Sequence, residues 1–329
     1  MHVVAATDKC RGTATAREVT RAIADAAGRC GWSCDQVPVS DGGEGFAEVL
    51  GGRSLTQWVR GPLGSRVESQ WRMLDDGGTA VVETALASGL FLAGGPEGND
   101  PVRASTAGTG GLIAAAVKAG ARRVLVGVGG SATTDGGLGA LEVLEPHSRL
   151  SGVELVVACD VKTRFLDAAR VFAPQKGASP AEVELLSRRL ERLAQLYRER
   201  FGVDVSAIDG SGAAGGLAGG LAALGASLVS GFDLVADTVE LAERIEGADL
   251  VIAGEGYLDE QSFAGKAVGG VASLAEEVGV PLLVIAGDGD GAQPVEYRSL
   301  VKVFGTTRAM EDTAGCITAL VERELVARA

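Results

Sequence analysis

The sequence predicts an α/β fold with a parallel sheet, together with a second domain or subdomain that contains antiparallel strands. Two patterns and the length carry this expectation. Short apolar runs alternate with helical patterns near the N-terminus and again in the second half of the chain, as βαβ units do. Between them, apolar and polar residues alternate one by one, with turn signals at Gly61-Pro62 and Asp76-Gly77; that is the mark of antiparallel sheet with one wet face. A chain of 329 residues has room for two domains at roughly 100–200 residues each.

In chain order, His2–Thr7 (HVVAAT) reads as a strand, Thr15–Gly31 as a helix and Gln36–Ser40 (QVPVS) as a second strand. Leu55–Val59, Val67–Leu74 and Thr79–Glu83 are the antiparallel candidates. Thr109–Lys118 is helical, and Arg122–Val128 and Val153–Cys159 are strands. Pro180–Arg200 is an amphipathic helix, because Val183, Leu186, Leu190, Leu193 and Tyr197 recur at spacings of three and four and form one core-facing stripe. Asp249–Ala253 and Pro281–Ala286 are apolar, β-branched strands, and a last helix runs over about Thr313–Arg328.

Composition excludes several functions. The chain carries 30 Lys+Arg against 43 Asp+Glu, a net charge of −13, which argues against a nucleic-acid surface. Five cysteines (Cys10, Cys30, Cys34, Cys159, Cys316) without a C-x-x-C pair read as reduced thiols in a cytoplasmic protein. Only His2 and His147 are present, so a zinc site or a histidine-based triad is not expected. Met1-His2-Val3-Val4 lacks a basic n-region and Asp8 interrupts the first apolar run; no signal peptide is expected. The uncharged stretch Gly210–Phe232 is long enough to cross a bilayer, but it is too rich in glycine and alanine to read as a membrane span.

Function is signalled by the residues just past the strands. Asp8, Asp41, Glu83, Asp160, Glu255 and Asp288 each stand just beyond a predicted strand end, the edge where open parallel sheets bind ligands. One such residue could cap the next helix; six together call for a cation or a proton-transfer role. Glycine, 49 residues in all, concentrates in loops at the same edge: Ser40–Gly45, Ser105–Gly110, Gly127–Gly137, Gly210–Gly220 and Gly254–Gly256. Such loops let a backbone approach a phosphate closely, and Lys9, Arg11, Lys176 and Lys266 nearby suit an anionic substrate. Gly127-x-Gly129-x-x-Ala132 and Gly210-x-Gly212-x-x-Gly215 also fit the dinucleotide template, which keeps an NAD(P)-dependent oxidoreductase as the alternative.

Read in order, the motifs resemble the bacterial glycerate kinase family of type I, two-domain enzymes. They are Asp8-Lys9-Cys10-Arg11-Gly12-Thr13, Pro38–Gly45 (PVSDGGEG), Gly61–Gly64 (GPLG), Ala87–Leu90 (ASGL), Ala104–Gly110 (ASTAGTG) and Gly129–Gly137 (GGSATTDGG). Cys159-Asp160-Val161, Ala173–Ala178 (APQKGA), Gly212–Gly220, Asp249–Gly256 (DLVIAGEG) and Leu258–Lys266 complete a colinear series over about 290 residues. The resemblance implies ATP- and Mg²⁺-dependent phosphorylation of D-glycerate. It also implies a discontinuous Rossmann-like domain (1–46 plus 240–329) with an inserted α/β domain (47–239) and an active site in the cleft between them.

The strand ends and glycine loops supply the site candidates, and neither the pattern nor the resemblance fixes which carboxylate is the base and which binds metal. Asp8, Lys9, Asp41, Glu44, Asp259 and Lys266 are the catalytic candidates, and Asp41 and Glu255 the Mg²⁺ candidates. Arg11, Gly42, Gly43, Ser105, Thr106, Gly129, Gly130, Ser131, Asp135, Lys176, Gly215 and Gly216 are the substrate- and phosphate-binding candidates. No membrane or nucleic-acid partner is expected, and a homodimer and the choice between the 2- and 3-hydroxyl are left open. The chain also departs from the family. Cys10-Arg11 stands where Phe-Lys is usual and Thr134 where Asn is usual. The stretch from Gly139 to Cys159 is short, and Lys162–Asp167 replaces a glycine-rich segment. A trimmed glycerate kinase, a kinase of another small hydroxy acid and a paralogue without activity all remain compatible with that.

Overall fold

The computed structural model describes residues 1–10, 12–263, 266–290 and 294–328. Its strands are β1 (His2–Thr7), β2 (Ser33–Gln36), β3 (Arg53–Arg60), β4 (Arg66–Met73), β5 (Thr79–Glu83), β6 (Arg123–Gly127), β7 (Glu154–Ala158), β8 (Ser227–Val229), β9 (Leu250–Leu258), β10 (Leu282–Gly289) and β11 (Tyr297–Ser299). The chain forms two compact units, Met1–Asp41 with Phe232–Ala329, and Gly42–Gly231.

The first unit is a parallel five-stranded sheet in the order β11-β10-β9-β1-β2. Val3, Ala5, Leu250, Ile252, Leu283 and Ile285 cover one face and pack on helices Ala16–Arg29 and Thr313–Val326. Val4, Val251 and Val284 alternate with them and are fully buried on the other face, under helices Leu241–Glu246 and Ala267–Val278. Burial on both faces explains why these strands read as continuous apolar runs. Helix Ala16–Arg29 starts where Thr15 and Glu18 cap each other: Thr15 Oγ1 accepts the Glu18 N–H at 3.2 Å and Glu18 Oε2 accepts the Thr15 N–H at 2.8 Å. Strand β2 lies earlier than Gln36–Ser40. Pro38 has no N–H to give the ladder, although the N–H groups of Val37 and Val39 still reach the carbonyls of Ala5 and Thr7.

Strand order decides where a ligand can enter. The chain leaves β1 for β2 on one side and returns at β9 on the other, so the connections diverge above β1 and β9. That is a topological switch point, the place where doubly wound sheets open a crevice. In register, Thr7 lies opposite Gly254 and Ala286 opposite Glu255.

The second unit is a six-stranded mixed sheet in the order β3-β4-β5-β6-β7-β8, antiparallel from β3 to β5 and parallel from β5 to β8. Thr79–Glu83 therefore belongs to both halves, and all five of its residues are buried. Helices Ala107–Lys118 and Ala213–Ala223 cover the sheet core. Leu186, Leu190, Leu193 and Tyr197 of helix Pro180–Phe201 build a separate cluster around Phe165. All five cysteines are free thiols. No helix among the described residues is long and apolar enough to cross a membrane. The uncharged Gly210–Phe232 stretch instead builds the glycine turn at Gly215, the helix to Ala223 and strand β8.

Candidate active site

The six carboxylates at strand ends divide four to two. Asp8, Asp41, Glu255 and Asp288 line one cavity of about 490 Å³ in the first unit, at the switch point, together with Lys9 and Lys266. Glu83 and Asp160, in the second unit, serve the backbone. Glu83 accepts the N–H groups of Gly45 (3.1 Å) and Ala47 (3.2 Å) at the start of helix Phe46–Leu50, and Asp160 Oδ1 accepts the Gly231 N–H at 2.8 Å. Neither caps the helix that follows it in sequence; both satisfy helix-start N–H groups of distant segments, 36–38 residues upstream for Glu83 and 71 downstream for Asp160.

Within the cavity, Asp8 is fixed by its own strand end. Its N–H reaches the Gly254 carbonyl at 2.9 Å, and its Oδ1 accepts the Lys9 N–H at 2.7 Å with Lys9 Nζ 3.6 Å away. Burial raises its pKa against the opposing charge of Lys9, and Asp41 adds to the rise. Burial pushes Glu255 up to about 7; Asp8 and Asp259 add to this, while a Ser262 hydrogen bond and the Lys266 charge oppose it. Its Oε1 is buried with no hydrogen-bond partner among the described residues. Asp288 Oδ1 accepts from the Ser299 hydroxyl at 3.1 Å. Lys266 is the N-cap residue of helix Ala267–Val278, so its ammonium and the helix N–H groups supply positive potential at one place.

The remaining candidates stand elsewhere. Asp259 does not line the cavity; its Oδ1 accepts the Ser262 N–H at 3.0 Å and caps the turn Glu260–Phe263. Arg11 lies outside the described residues. Glu44 is an exposed residue of the second unit. There, Gly42 and Gly43 are placed by close packing: a Cβ on Gly42 would meet the Ala158 Cβ at 2.9 Å, and one on Gly129 would meet the Gly43 Cα at 2.6 Å. The motif PVSDGGEG is thus shared between the units, Asp41 belonging to the first and Gly42 to the second.

Thr106, Asp135 and Lys176 hold the 129–139 loop together, and Ser105 caps the helix start beside it. Asp135 Oδ2 accepts from the N–H and the hydroxyl of Thr106, both at 2.9 Å, and from the Gly139 N–H at 3.2 Å; its Oδ1 accepts the Gly137 N–H at 3.1 Å. Ser105 Oγ accepts the Ala107 N–H at 3.2 Å. Lys176 is 4% exposed, and its Nζ donates to Ser131 Oγ (2.9 Å) and to the Thr133 carbonyl (2.7 Å). Gly130 is an exposed residue in the left-handed region at φ 66°. Gly215 and Gly216, at φ 66° and 93°, are buried against Thr133 and Phe165.

The sequence pattern suggests Lys176 as a cation near an anion-binding loop; its charge lies inside the unit. Burial lowers its pKa to about 7, with Asp135 pulling the other way. The unfolded chain keeps this proton up to the ordinary 10.5. Between the two values the unfolded state therefore binds more protons, and this group's contribution makes stability rise with pH. From pH 7 to 9 the thermal midpoint of the wild type should climb relative to that of Lys176→Met. A gap between the two proteins that stays constant with pH would contradict a buried, depressed lysine.

The dinucleotide alternative loses its structural context. Gly127–Ala132 does follow β6, but the next helix, Leu138–Val143, begins six residues after Ala132. Gly210–Gly215 follows the short 3₁₀ turn Val205–Ala207 rather than a strand. The template requires strand, glycine turn and helix in immediate succession.

Comparison with known proteins decides the family. The family model described as "Glycerate kinase family" matches residues 3–147 and 143–327. The chain belongs to the glycerate kinase family. Glycerate 2-kinase of Escherichia coli K12 is 37% identical over 325 residues, covering 87% of this chain and 85% of that protein. A glycerate kinase of Halalkalibacterium halodurans is 36% identical, covering 92% and 90%. A solved structure provisionally named glycerate kinase 2, from Salmonella typhimurium LT2, superposes with a TM-score of 0.87 at 32% identity, covering 100% of this chain and 98% of that one. The two pieces of the family match overlap at 143–147.

Proposed function

We propose that this chain transfers the γ-phosphoryl group of ATP to a hydroxyl of D-glycerate, as a Mg²⁺-dependent glycerate kinase. The observation that carries the reading is the switch-point cavity, where Asp8, Asp41 and Glu255 converge with Lys9 and Lys266 in a chain of this family. Phosphoryl transfer needs charge neutralisation, in-line positioning and a proton acceptor, and no covalent nucleophile.

The residues fit a divalent cation carried by a nucleotide. No group of three or more His, Cys, Asp or Glu among the described residues is gathered tightly enough to hold a metal ion alone. Mg²⁺ usually takes only one or two carboxylates, its other ligands being phosphate oxygens and water. The unpartnered Oε1 of Glu255 would supply one such ligand and Asp41 the second. A cation held there would supply charge neutralisation for the transferring phosphoryl group. Lys9 and Lys266 contact phosphate oxygens. Asp8, with Oδ1 anchored on the Lys9 N–H and its pKa raised by burial, accepts the glycerate hydroxyl proton through Oδ2. The glycerate oxygen bonds to the γ-phosphorus as the bond to the β-bridging oxygen breaks, and ADP leaves with the electron pair.

The E. coli relative is named a 2-kinase, and we take the 2-hydroxyl as the acceptor here too. The test is glycerate-dependent ADP formation with MgATP, compared with other short hydroxy acids. Absence of ADP above background at millimolar D-glycerate would remove glycerate as the substrate. Asp41→Asn should lower turnover at least tenfold with an unchanged circular dichroism spectrum; a near-normal rate would take Asp41 out of the catalytic set.

A further inference from the structure

The switch-point cavity has two chemically different sides. One side is the charged strand edge described above. The other is an apolar wall contributed by three successive helices: Val301 from Leu300–Phe304, Ala309 and Met310 from Thr306–Glu311, and Thr313 at the start of Thr313–Val326. Met310 is 57% exposed, and Tyr257, another lining residue, is 50% exposed. Tyr257 is held by its hydroxyl, which donates to Asp290 Oδ1 at 2.7 Å. A large thioether and an aromatic ring left open at the rim of a polar cavity expose apolar area that burial under a ligand would remove from water.

We infer that this wall, Val301, Ala309 and Met310 with Tyr257 at the rim, receives the nucleobase of the phosphoryl donor. On this assignment the first unit by itself carries the nucleotide site. The assignment rests on the kinase reading and goes further, because the same cavity could in principle have held the acceptor.

Three properties of the cavity choose between donor and acceptor. Its volume of about 490 Å³ falls within the ~300–1,000 Å³ typical of pockets for ligands of nucleotide size, and a three-carbon acid would leave most of it as water. Its lining has four carboxylates against two lysines. That balance keeps the carboxylate of glycerate outside, so that only its hydroxyl reaches Asp8 at the cavity's edge, and accepts a nucleotide that arrives with a divalent cation. The apolar wall offers glycerate nothing to bury, whereas a purine face gains from contact with thioether and aromatic groups.

The test uses two exposed positions, so that loss of fold does not imitate loss of binding. Met310→Asp puts a carboxylate on the wall, and Thr306→Trp fills the cavity from the exposed side of the same helix. Binding of a fluorescent N-methylanthraniloyl-ADP with Mg²⁺, in the absence of glycerate, is measured alongside the Michaelis constants for both substrates. Each variant should weaken nucleotide binding and raise the KM for ATP at least tenfold, with the KM for glycerate within twofold of wild type. A raised KM for glycerate with unchanged nucleotide affinity would place the acceptor here and overturn the assignment while leaving the kinase intact. Nucleotide affinity unchanged in both variants would overturn it as well. Wild type that binds the labelled nucleotide, loses it on Met310→Asp, yet makes no ADP with glycerate would retain the nucleotide site and sink the substrate reading instead.

Discussion

Lys266→Ala is expected to reduce kcat/KM for ATP about 100-fold, the usual cost of deleting one charge-stabilising donor from a preorganised site. Lys266 is well placed to have so large an effect. It lines the cavity, stands at the first turn of helix Ala267–Val278, and is the cation that opposes the upward shift of Glu255. Its loss removes a phosphate contact and leaves Glu255 protonated to higher pH, which also weakens the cation site. The pH profile of the residual activity should therefore move to the alkaline side. Wild-type kinetics would show that Lys266 does not act on the phosphates, and lower activity with an unmoved profile would show that it does not act on Glu255.

The second large effect is on stability. Gly215→Ala adds one methyl group, yet that carbon would stand 2.0 Å from the Thr133 carbonyl oxygen at a backbone φ of +66°. The oxygen belongs to the loop that Lys176 and Asp135 pin in place, so it cannot retreat cheaply. Overlap and left-handed strain together should cost more than about 4 kcal/mol, a fall in thermal midpoint of roughly 10 °C or more for a unit of this size. Gly225→Ala is the control. Gly225 also has a positive φ, +91°, but nothing lies within 4 Å of the added carbon, so only the backbone term of about 1–2 kcal/mol remains. Equal losses at the two positions would contradict the packing explanation and leave conformational strain as the whole effect.

These two residues also show how much the sequence can reveal. Lys266 is legible as a basic residue near a glycine-rich loop and a strand-end carboxylate, which is a local pattern, whereas the helix it caps is seen only in the structure. Strand periodicity likewise locates Asp8, Asp41, Glu255 and Asp288, and with them the edge on which the cavity opens. It cannot separate them from Glu83 and Asp160. All six obey the same local rule, and only tertiary structure brings the N–H groups of Gly45, Ala47 and Gly231 to the latter pair.

Glycine is ambiguous for a similar reason. A loop that admits a phosphate and a loop that admits another piece of backbone need the same absent side chain. Gly215 proves to admit Thr133, and a Cβ on Gly139 would lie 2.1 Å from Ser105 Oγ. Lys176 reads as an accessible charge, since a buried lysine leaves no mark on its neighbours in sequence. The wall at Val301, Ala309 and Met310 has no signature of its own, because apolar residues spaced along helices read as ordinary core. Only their position beside a charged strand edge distinguishes them.

The most direct measurement is ³¹P NMR of the purified chain incubated with MgATP and D-glycerate. A phosphomonoester resonance coupled to the C2 proton of glycerate should grow in step with the loss of the γ-phosphoryl signal, and neither change should occur without glycerate. A γ-phosphoryl signal that persists, or that disappears only into inorganic phosphate, would contradict the assignment of this chain as a glycerate kinase.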